Sequence, residues 1–309
     1  MQRTGEWRDH GSLDSLSVPA VAEIARREGT DFATALLYTR ITESERFAPC
    51  IERIRLSPTR WPSSRPSPLL AVVPGAFHAE NMNTGAVGRR FLEIAHAVGF
   101  RCEVIPTHSF GSLHQNAQIV GDWLSTRGRD EIVLVSLSKA AAEIDYLLRD
   151  EDTSLFRDVT AVLNLSPMMF GSPLVDRVLD HPLRRLFVRG LLWCKNYDFA
   201  TLAELRYDPD IGAAQRSPVP ILNVLGFPME RHLSSSMARR QYGRLRHYGP
   251  NDGGGVLIAD AVHFPGALLP VWGADHYLRY PENLPDLLGQ ALCTLAMNDR
   301  WASAAGISR

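Results

Sequence analysis

The sequence lacks the features that mark membrane-spanning, nucleic-acid-binding and disulfide-rich proteins. No apolar run approaches the roughly 18 residues that a membrane-spanning helix needs. The 33 lysines and arginines nearly balance the 34 aspartates and glutamates, so the net charge favours neither nucleic acid nor an anionic surface as a partner. The four cysteines, at positions 50, 102, 194 and 293, show no C-x-x-C spacing. Such scattered cysteines are typical of reduced thiols rather than of a disulfide or zinc framework.

The N-terminus of the sequence is not expected to act as a secretory signal. Residues 1–10 are charged and contain no apolar segment of the kind that a signal peptide carries. Together with the reduced cysteines, this predicts a cytoplasmic protein. At 309 residues the chain is long enough to bury a large core in one or two domains. The sequence does not indicate an oligomeric state.

A loop-forming stretch divides the chain. Apolar periodicity predicts helices over Val18–Glu28 and Phe32–Ile41, and residues 57–68 then contain four prolines and four serines. We therefore predict an N-terminal helical extension with its linker over residues 1–68 and a main domain over residues 69–309.

Strand and helix patterns alternate in the main domain. The predicted strands are Leu69–Val73, Arg101–Pro106, Glu131–Ser136, Val159–Leu165 and Val219–Leu225. The predicted helices between them are Gly85–Val98, Leu113–Thr126 and Ala140–Leu148. Continuous apolar strands separated by helices indicate an α/β fold with a mainly parallel sheet that is covered on both faces. The long segment before the last of these strands, residues 167–218, is predicted to be an inserted helical cap.

One strand runs into a serine that is a candidate nucleophile. The apolar strand from Glu131 is followed by Ser136-Leu-Ser-Lys-Ala140 and then by a predicted helix. A strand, a sharp turn and a helix with Ser138 at the turn resemble a nucleophile elbow, whose usual pattern is G-x-S-x-G. Ser and Ala replace the glycines here, and they are the next smallest residues. The alternative interpretation is a buried strand followed by a helix that Ser138 caps.

A nucleophilic serine needs a base and an acid downstream. Among the ten histidines, His276 lies where the base is expected, in a glycine-containing loop after an apolar strand. The candidate acid is Asp252, in an Asn-Asp-Gly turn, while Asp260 and Glu230 are alternatives. Asp275 adjoins His276, but sequence neighbours rarely direct their side chains at each other.

The acid and base segments resemble those of a known family. Asn251-Asp-Gly253, followed by Asp275-His-Tyr-Leu278, is similar to the corresponding segments of bacterial triacylglycerol lipases and related α/β-hydrolases. The elbow of that family often reads HSKGG or HSQGG, and this chain keeps the Ser-Lys pair. The resemblance covers residues 69 to 298. It implies an α/β-hydrolase fold in which Ser138 is the nucleophile, Asp252 the acid and His276 the base.

The same resemblance implies an oxyanion hole. Residues 70–78 are similar to the strand and HG-type loop that supply one backbone donor, with Pro74 in place of the usual histidine. We assign the N–H of Ala76 as this donor, with Phe77 as the near alternative, and the N–H of Lys139 as the second donor. The Lys139 side chain is interpreted as a solvated charge or as the partner of an acid on a neighbouring loop.

These features predict a serine esterase or lipase-like hydrolase that works through an acyl-enzyme. No metal and no organic cofactor is implied. The cap, whose apolar residues include Leu186, Phe187, Leu192 and Trp193, is predicted to close an apolar pocket over Ser138, which favours a hydrophobic ester or thioester substrate. Packing within the protein is the alternative role for these apolar residues. The alternatives are an acyltransferase or thioesterase in a biosynthetic pathway, or a catalytically silent binding protein of the same fold.

Overall fold

The computed structural model describes residues 13–80, 85–128, 130–149, 153–210 and 217–297. Within them, the strands are β1 (Leu69–Val73), β2 (Arg101–Val104), β3 (Ile132–Leu137), β4 (Val159–Leu165), β5 (Ile221–Phe227) and β6 (Ala267–Trp272). The first helices are α1 (Val18–Glu28), α2 (Thr30–Glu43), α3 (Ala48–Leu56), α4 (Arg89–Val98), α5 (Leu113–Ser125) and α6 (Ala140–Leu148). The later helices are α7 (Pro173–Leu179), α8 (Pro182–Trp193), α9 (Ala200–Ala203), α10 (Ser236–Leu245) and α11 (Leu284–Ala296).

The strands form one parallel sheet in the order β2-β1-β3-β4-β5-β6. Strands β1, β3 and β5 are buried along their whole length, which explains why they read as continuous apolar runs. The edge strand β2 is exposed and carries Arg101 and Glu103. Charged side chains on an edge strand discourage pairing with another chain.

The strand order creates a crevice at the carboxyl ends of the strands. From β1 the chain moves outward to β2, and it then returns to β3 on the other side of β1. The connections after β1 and β3 therefore leave the sheet in opposite directions, and ligands in such sheets bind where this reversal occurs. The loop after β1 and the turn after β3 lie side by side there.

The N-terminal helices share the core of the sheet. Val21, Leu37 and Ile54, on α1, α2 and α3, belong to the same cluster of buried residues as the strands. Arg46 also donates a hydrogen bond of 2.7 Å from Nη1 to the carbonyl of Val262. The helices thus cover apolar surface that the sheet would otherwise expose.

Most predicted elements are confirmed, and β1 and β4 begin and end as predicted. The predicted helix Gly85–Val98 starts only at Arg89, because Gly88 adopts a left-handed conformation with φ 75°. The predicted strand Val219–Leu225 is shifted two residues towards the C-terminus, since Pro220 has no N–H to donate to the ladder. None of the helices that the structure describes is both long and apolar enough to cross a membrane.

Candidate active site

The turn after β3 holds Ser138 in a strained conformation. Its φ of 53° lies in the left-handed region, which is uncommon for residues other than glycine. The Ser138 N–H donates to the Leu165 carbonyl at 3.0 Å, and the Ser138 carbonyl accepts the N–H groups of Met168 and Ala141, both at 3.1 Å. Hydrogen bonds on both sides of the residue maintain a backbone strain that is typical of functional sites.

Small residues flank this turn, as its crowding requires. Ser136 and Ala140 are both completely buried. The Ser136 hydroxyl donates to Asn164 Oδ1 at 2.6 Å, so the buried oxygen has a partner. Serine therefore fits a position where the usual pattern has glycine.

His276 lies between Ser138 and Asp252. Its Nε2 is 3.0 Å from Ser138 Oγ, and its Nδ1 is 2.6 Å from Asp252 Oδ2. The His276 backbone N–H donates to the Asp252 carbonyl at 2.7 Å, which ties the two loops together. With Nδ1 protonated and donating to the carboxylate, Nε2 is free to accept the serine proton.

The turn after Asn251 holds the Asp252 carboxylate in place. Asp252 Oδ1 accepts the backbone N–H groups of Gly254, Gly255 and Val256 at 2.9 to 3.1 Å, and the side chain is fully buried. A Cβ on Gly254 would lie 2.0 Å from Cγ of His276. Glycine is therefore required where the turn passes against the imidazole.

The surroundings of His276 change its basicity in two opposite ways. Burial lowers the pKa of the imidazole, whereas the Asp252 carboxylate beside Nδ1 raises it. The effects of Asp252 and Asp275 together exceed the effect of burial, so the pKa of His276 lies above its ordinary value.

The other carboxylates make different contacts. Asp260 accepts a hydrogen bond of 3.1 Å from the Tyr207 hydroxyl, and burial raises its pKa to about 7. Glu230 is exposed. Asp275 accepts the N–H groups of Ser234 and Tyr277 at 2.7 and 3.1 Å. The structure thus brings Asp252, rather than the alternatives, to the imidazole ring.

The loop after β1 lies directly against the serine turn. A Cβ on Gly75 would be 3.1 Å from the Leu137 carbonyl oxygen and 3.6 Å from Ser138 Cβ, so this glycine permits the close approach. The Phe77 N–H donates to the Ser109 carbonyl at 2.7 Å, which excludes it as the alternative donor. Among the residues that the structure describes, the N–H groups of Ala76 and Lys139 have no acceptor, and both residues line the cavity at Ser138.

No protein-family model and no curated protein matches the sequence. The structure is similar to the metagenomic carboxyl esterase MGS0156, with a TM-score of 0.56 and 21% identity, covering 77% of this chain and 80% of that one. It is also similar to mature Bacillus licheniformis lipase BlEst2, with a TM-score of 0.51 and 20% identity, covering 76% and 96% of the two chains. The chain has the α/β-hydrolase fold.

The Lys139 side chain is neither solvated nor paired with an acid on a neighbouring loop, so both sequence-based interpretations were wrong. It is buried and forms an ion pair with Glu143, one turn further along α6. Lys139 Nζ also donates to the Gly111 carbonyl at 2.8 Å, and Glu143 accepts from Asn116 at 2.7 Å. Burial raises the pKa of Glu143, although the Lys139 ammonium opposes this. The pair fastens the loop around Gly111 to the start of α6.

A row of polar side chains that the sequence analysis missed crosses the sheet behind the turn. Asn164 Nδ2 donates to Asn223 Oδ1 at 2.9 Å, and Asn223 Nδ2 donates to the carbonyls of Pro265 and Ala267 at 2.8 and 3.2 Å. Ser136, Asn164 and Asn223 occupy paired positions on β3, β4 and β5. A single asparagine within each of two apolar strands was the available signal. The row fixes the strand register that places Ser138.

A cavity of about 370 Å³ opens at Ser138. Apolar side chains from the loops, the inserted helices and α10 form much of its wall: Phe77, Phe110, Val175, Leu202, Leu205 and Met237. The rings of Phe77 and Phe110 stack with centroids 4.4 Å apart. The described residues contain no group of three His, Cys, Asp or Glu side chains that could hold a metal ion.

The insertion contributes to this wall through α7 and α9 rather than through the outer face of α8. Leu192 of α8 is buried against the cavity wall, but Leu186, Phe187 and Trp193 are exposed to solvent. These three side chains therefore neither close over Ser138 nor pack in the interior, contrary to both roles predicted for them. They point away because Val188 and Leu192 occupy the inward face of the helix.

Proposed function

We propose that this α/β-hydrolase is a serine hydrolase that cleaves carboxylic esters through an acyl-enzyme. The observation that carries the proposal is the alignment of Ser138, His276 and Asp252, with hydrogen-bond distances of 3.0 and 2.6 Å between successive side chains. The strained backbone of Ser138 supports it, because a nucleophile elbow requires that conformation.

In the first half of the reaction, His276 Nε2 takes the Ser138 proton while the serine oxygen attacks the ester carbonyl carbon. Asp252 stabilises the imidazolium that forms. The tetrahedral intermediate then expels the alkoxide, which receives the proton from His276 and leaves as the alcohol. The acyl group remains on Ser138.

In the second half, His276 removes a proton from water, and the hydroxide attacks the acyl-enzyme carbonyl. Collapse of this intermediate releases the carboxylic acid and returns the proton to Ser138. In both halves the N–H groups of Ala76 and Lys139 would bind the negatively charged oxygen. One such donor typically contributes roughly 10²- to 10³-fold to kcat.

The cavity favours a hydrophobic acyl group. Its volume of about 370 Å³ falls within the range of small-molecule sites, and aromatic and aliphatic side chains dominate the wall next to Ser138. Helices α7 and α9 act as a cap that keeps water from this side of the reaction centre. An esterase and a lipase are among the similar structures, which agrees with an ester substrate.

A fluorophosphonate probe and p-nitrophenyl esters of short and long acyl chains would test the proposal. Wild type should be labelled and should hydrolyse at least one ester, whereas Ser138→Ala should lose both properties. His276→Ala should lose hydrolysis by roughly 10⁴-fold or more. The exposed residues Ser63 and His114 provide matched controls, because Ser63→Ala and His114→Ala should behave as wild type.

Failure would be recognisable in two ways. A wild-type protein that is inert to the probe and to both esters would show that the serine is not activated. Labelling that persists in Ser138→Ala would move the nucleophile to another residue. If hydrolysis is observed, the ratio of the rates on the short and the long ester would measure how long an acyl chain the cavity accommodates.

A further inference from the structure

Helix α8 (Pro182–Trp193) presents an apolar face to solvent. Leu183, Leu186, Phe187 and Trp193 are between 70% and 78% exposed, and Leu191 is 48% exposed. Scattered exposed apolar residues need no explanation, but a contiguous patch marks an interaction site. Five large side chains on one short helix form such a patch.

The helical period separates this patch from the inner face. At about 100° per residue, the five exposed side chains fall within an arc of roughly 160°. Val188 and Leu192 lie on the opposite side, where Leu192 is buried among the residues that line the cavity. The helix is therefore apolar on both sides, with the wider apolar face turned outward.

Basic residues border the outward face on both sides. Arg184 and the following Lys195 lie on one flank and Arg189 lies on the other, whereas Arg185 lies towards the inner face, where its guanidinium is 6.0 Å from the centroid of the Phe199 ring. All four are exposed. Residues 181–197 contain no aspartate or glutamate. The nearby acids Asp176 and Asp180 are hydrogen bonded to Arg206. The patch is thus locally cationic although the whole chain carries a net charge of −1.

We propose that α8 docks the enzyme on an anionic lipid surface. An apolar face with a tryptophan, flanked by arginines and lysines, is the pattern of helices that lie in the membrane interface. The long basic side chains reach outward to the headgroups while the apolar side chains enter the acyl boundary. Negatively charged lipid complements the cationic flanks.

A second copy of the chain fits this face less well. A two-fold contact between two α8 helices would place the same patch on both sides. Arg184 and Arg189 of one copy would then lie near those of the other, without acidic residues from residues 181–197 to compensate. Charge complementarity therefore favours lipid over self-association.

Docking would bring the cavity close to the lipid. The inward face of α8 packs against Phe110, Val175 and Leu205, which also line the cavity at Ser138. The outward face and the cavity are thus two sides of one helical layer. Lipid binding does not depend on the proposed ester chemistry, because it uses no residue of the candidate active site.

Co-sedimentation with vesicles would test the docking. The full-length protein would be mixed with vesicles of pure phosphatidylcholine or of equal parts phosphatidylcholine and phosphatidylglycerol, at low and high salt. We expect binding to the anionic vesicles, weakening as salt rises, and little binding to the neutral vesicles. Ser138→Ala should bind like wild type, which separates this result from the outcome for catalysis.

Two sets of variants assign the binding to α8. Phe187→Ser with Trp193→Ser should reduce anionic-vesicle binding by roughly 100-fold, because the inserted apolar area is lost. Changing Arg184 and Arg189 to Gln together should reduce it by roughly 10-fold or more and should flatten the salt dependence. Leu56 on α3 is 87% exposed, and Leu56→Ser is the matched control that should bind like wild type.

Three results would overturn the proposal. The first is absence of binding to anionic vesicles. The second is binding that both sets of α8 variants leave unchanged. The third is a wild-type protein that does not bind vesicles but forms a dimer, observed by analytical ultracentrifugation. In this case Phe187→Ser with Trp193→Ser would dissociate the dimer. The arginine variants keep the test decisive if the apolar double variant fails to fold, since their side chains lie on the surface.

Discussion

Two buried aspartates in one segment of the chain have opposite surroundings. Asp252 accepts three backbone N–H groups on one carboxylate oxygen and contacts the His276 ring with the other. Asp260, in the 3₁₀ helix that follows, accepts one hydrogen bond from the Tyr207 hydroxyl. Both residues are at most 4% exposed. The number of donors, rather than the depth of burial, distinguishes the two sites.

The number of hydrogen-bond donors determines how each of these two identical side chains can function. A carboxylate surrounded by N–H donors is stabilised in its charged form. A carboxyl group with a single hydroxyl partner is not compensated for its burial, which raises the pKa of Asp260 to about 7. The contacts therefore support Asp252, rather than Asp260, as the proposed partner of the His276 imidazolium.

The strongest loss of activity should follow replacement of the Asp252 carboxylate that faces His276. Asp252→Asn keeps the shape of the side chain but removes its charge, so the imidazole loses its orientation and its counter-charge. We expect kcat on a p-nitrophenyl ester to fall by roughly 10⁴-fold. Steady-state kinetics and circular dichroism would separate this loss from unfolding.

Asp260→Asn is the matched control for this experiment. It makes the same chemical change in the neighbouring buried aspartate, and kcat should stay within a few-fold of wild type. A loss in Asp260→Asn equal to that in Asp252→Asn would contradict the assignment of the acid.

The second prediction concerns stability. The folded protein keeps the Asp260 proton up to about pH 7, whereas the unfolded chain releases it near the ordinary value of 3.8. Between these values the folded state binds more protons, so the contribution of Asp260 is complete below pH 3.8 and is lost as pH rises towards 7. The free energy of unfolding should fall by about 4 kcal/mol over this range.

Urea unfolding at several pH values would measure this loss. Asp260→Asn cannot release a proton, so the free energy of unfolding of wild type relative to this variant should decline between pH 4 and 7. A constant difference across that range would show that Asp260 titrates normally.

The third prediction concerns the pH dependence of the reaction. His276 must be neutral to act as a base, and Asp252 raises its pKa above the ordinary value of 6.5. The kcat/KM of wild type should therefore fall as pH decreases, with a midpoint above 6.5. In Asp252→Asn, burial still lowers the pKa while the carboxylate no longer raises it, so the midpoint of the residual activity should lie below that of wild type.

The sequence predicted the parts of the molecule that local patterns determine. The apolar runs predicted the strands of the sheet, and the Ser136 to Ala140 segment predicted the turn that gives Ser138 its positive φ. Asp252 and His276 were also predicted, His276 from its loop after an apolar strand and Asp252 from its Asn-Asp-Gly turn, both with the resemblance to bacterial lipases. The structure brings all three side chains together.

The remaining features depend on contacts between distant residues. Lys139 pairs with Glu143 and Gly111, and no local pattern distinguishes such a buried lysine from a solvated one. The orientation of α8 could not be predicted from the sequence either. Its apolar stripe is compatible with either orientation, and only the packing of Val188 and Leu192 shows which side is inside.

The weakest of these effects should come from removal of the Tyr207 hydroxyl, which donates the hydrogen bond to Asp260. Tyr207→Phe removes the hydroxyl, which costs about 1 kcal/mol of unfolding free energy for the lost hydrogen bond. Because that hydrogen bond also lowers the pKa of Asp260, its removal should move the pH-dependent loss of stability to higher pH. The same substitution in Asp260→Asn should keep the hydrogen-bond cost without the pH shift, since the asparagine does not titrate. A shift that persists in the double variant would mean that another group near Tyr207 titrates there, and the contrast between the two aspartates would then rest on the donors of Asp252 alone.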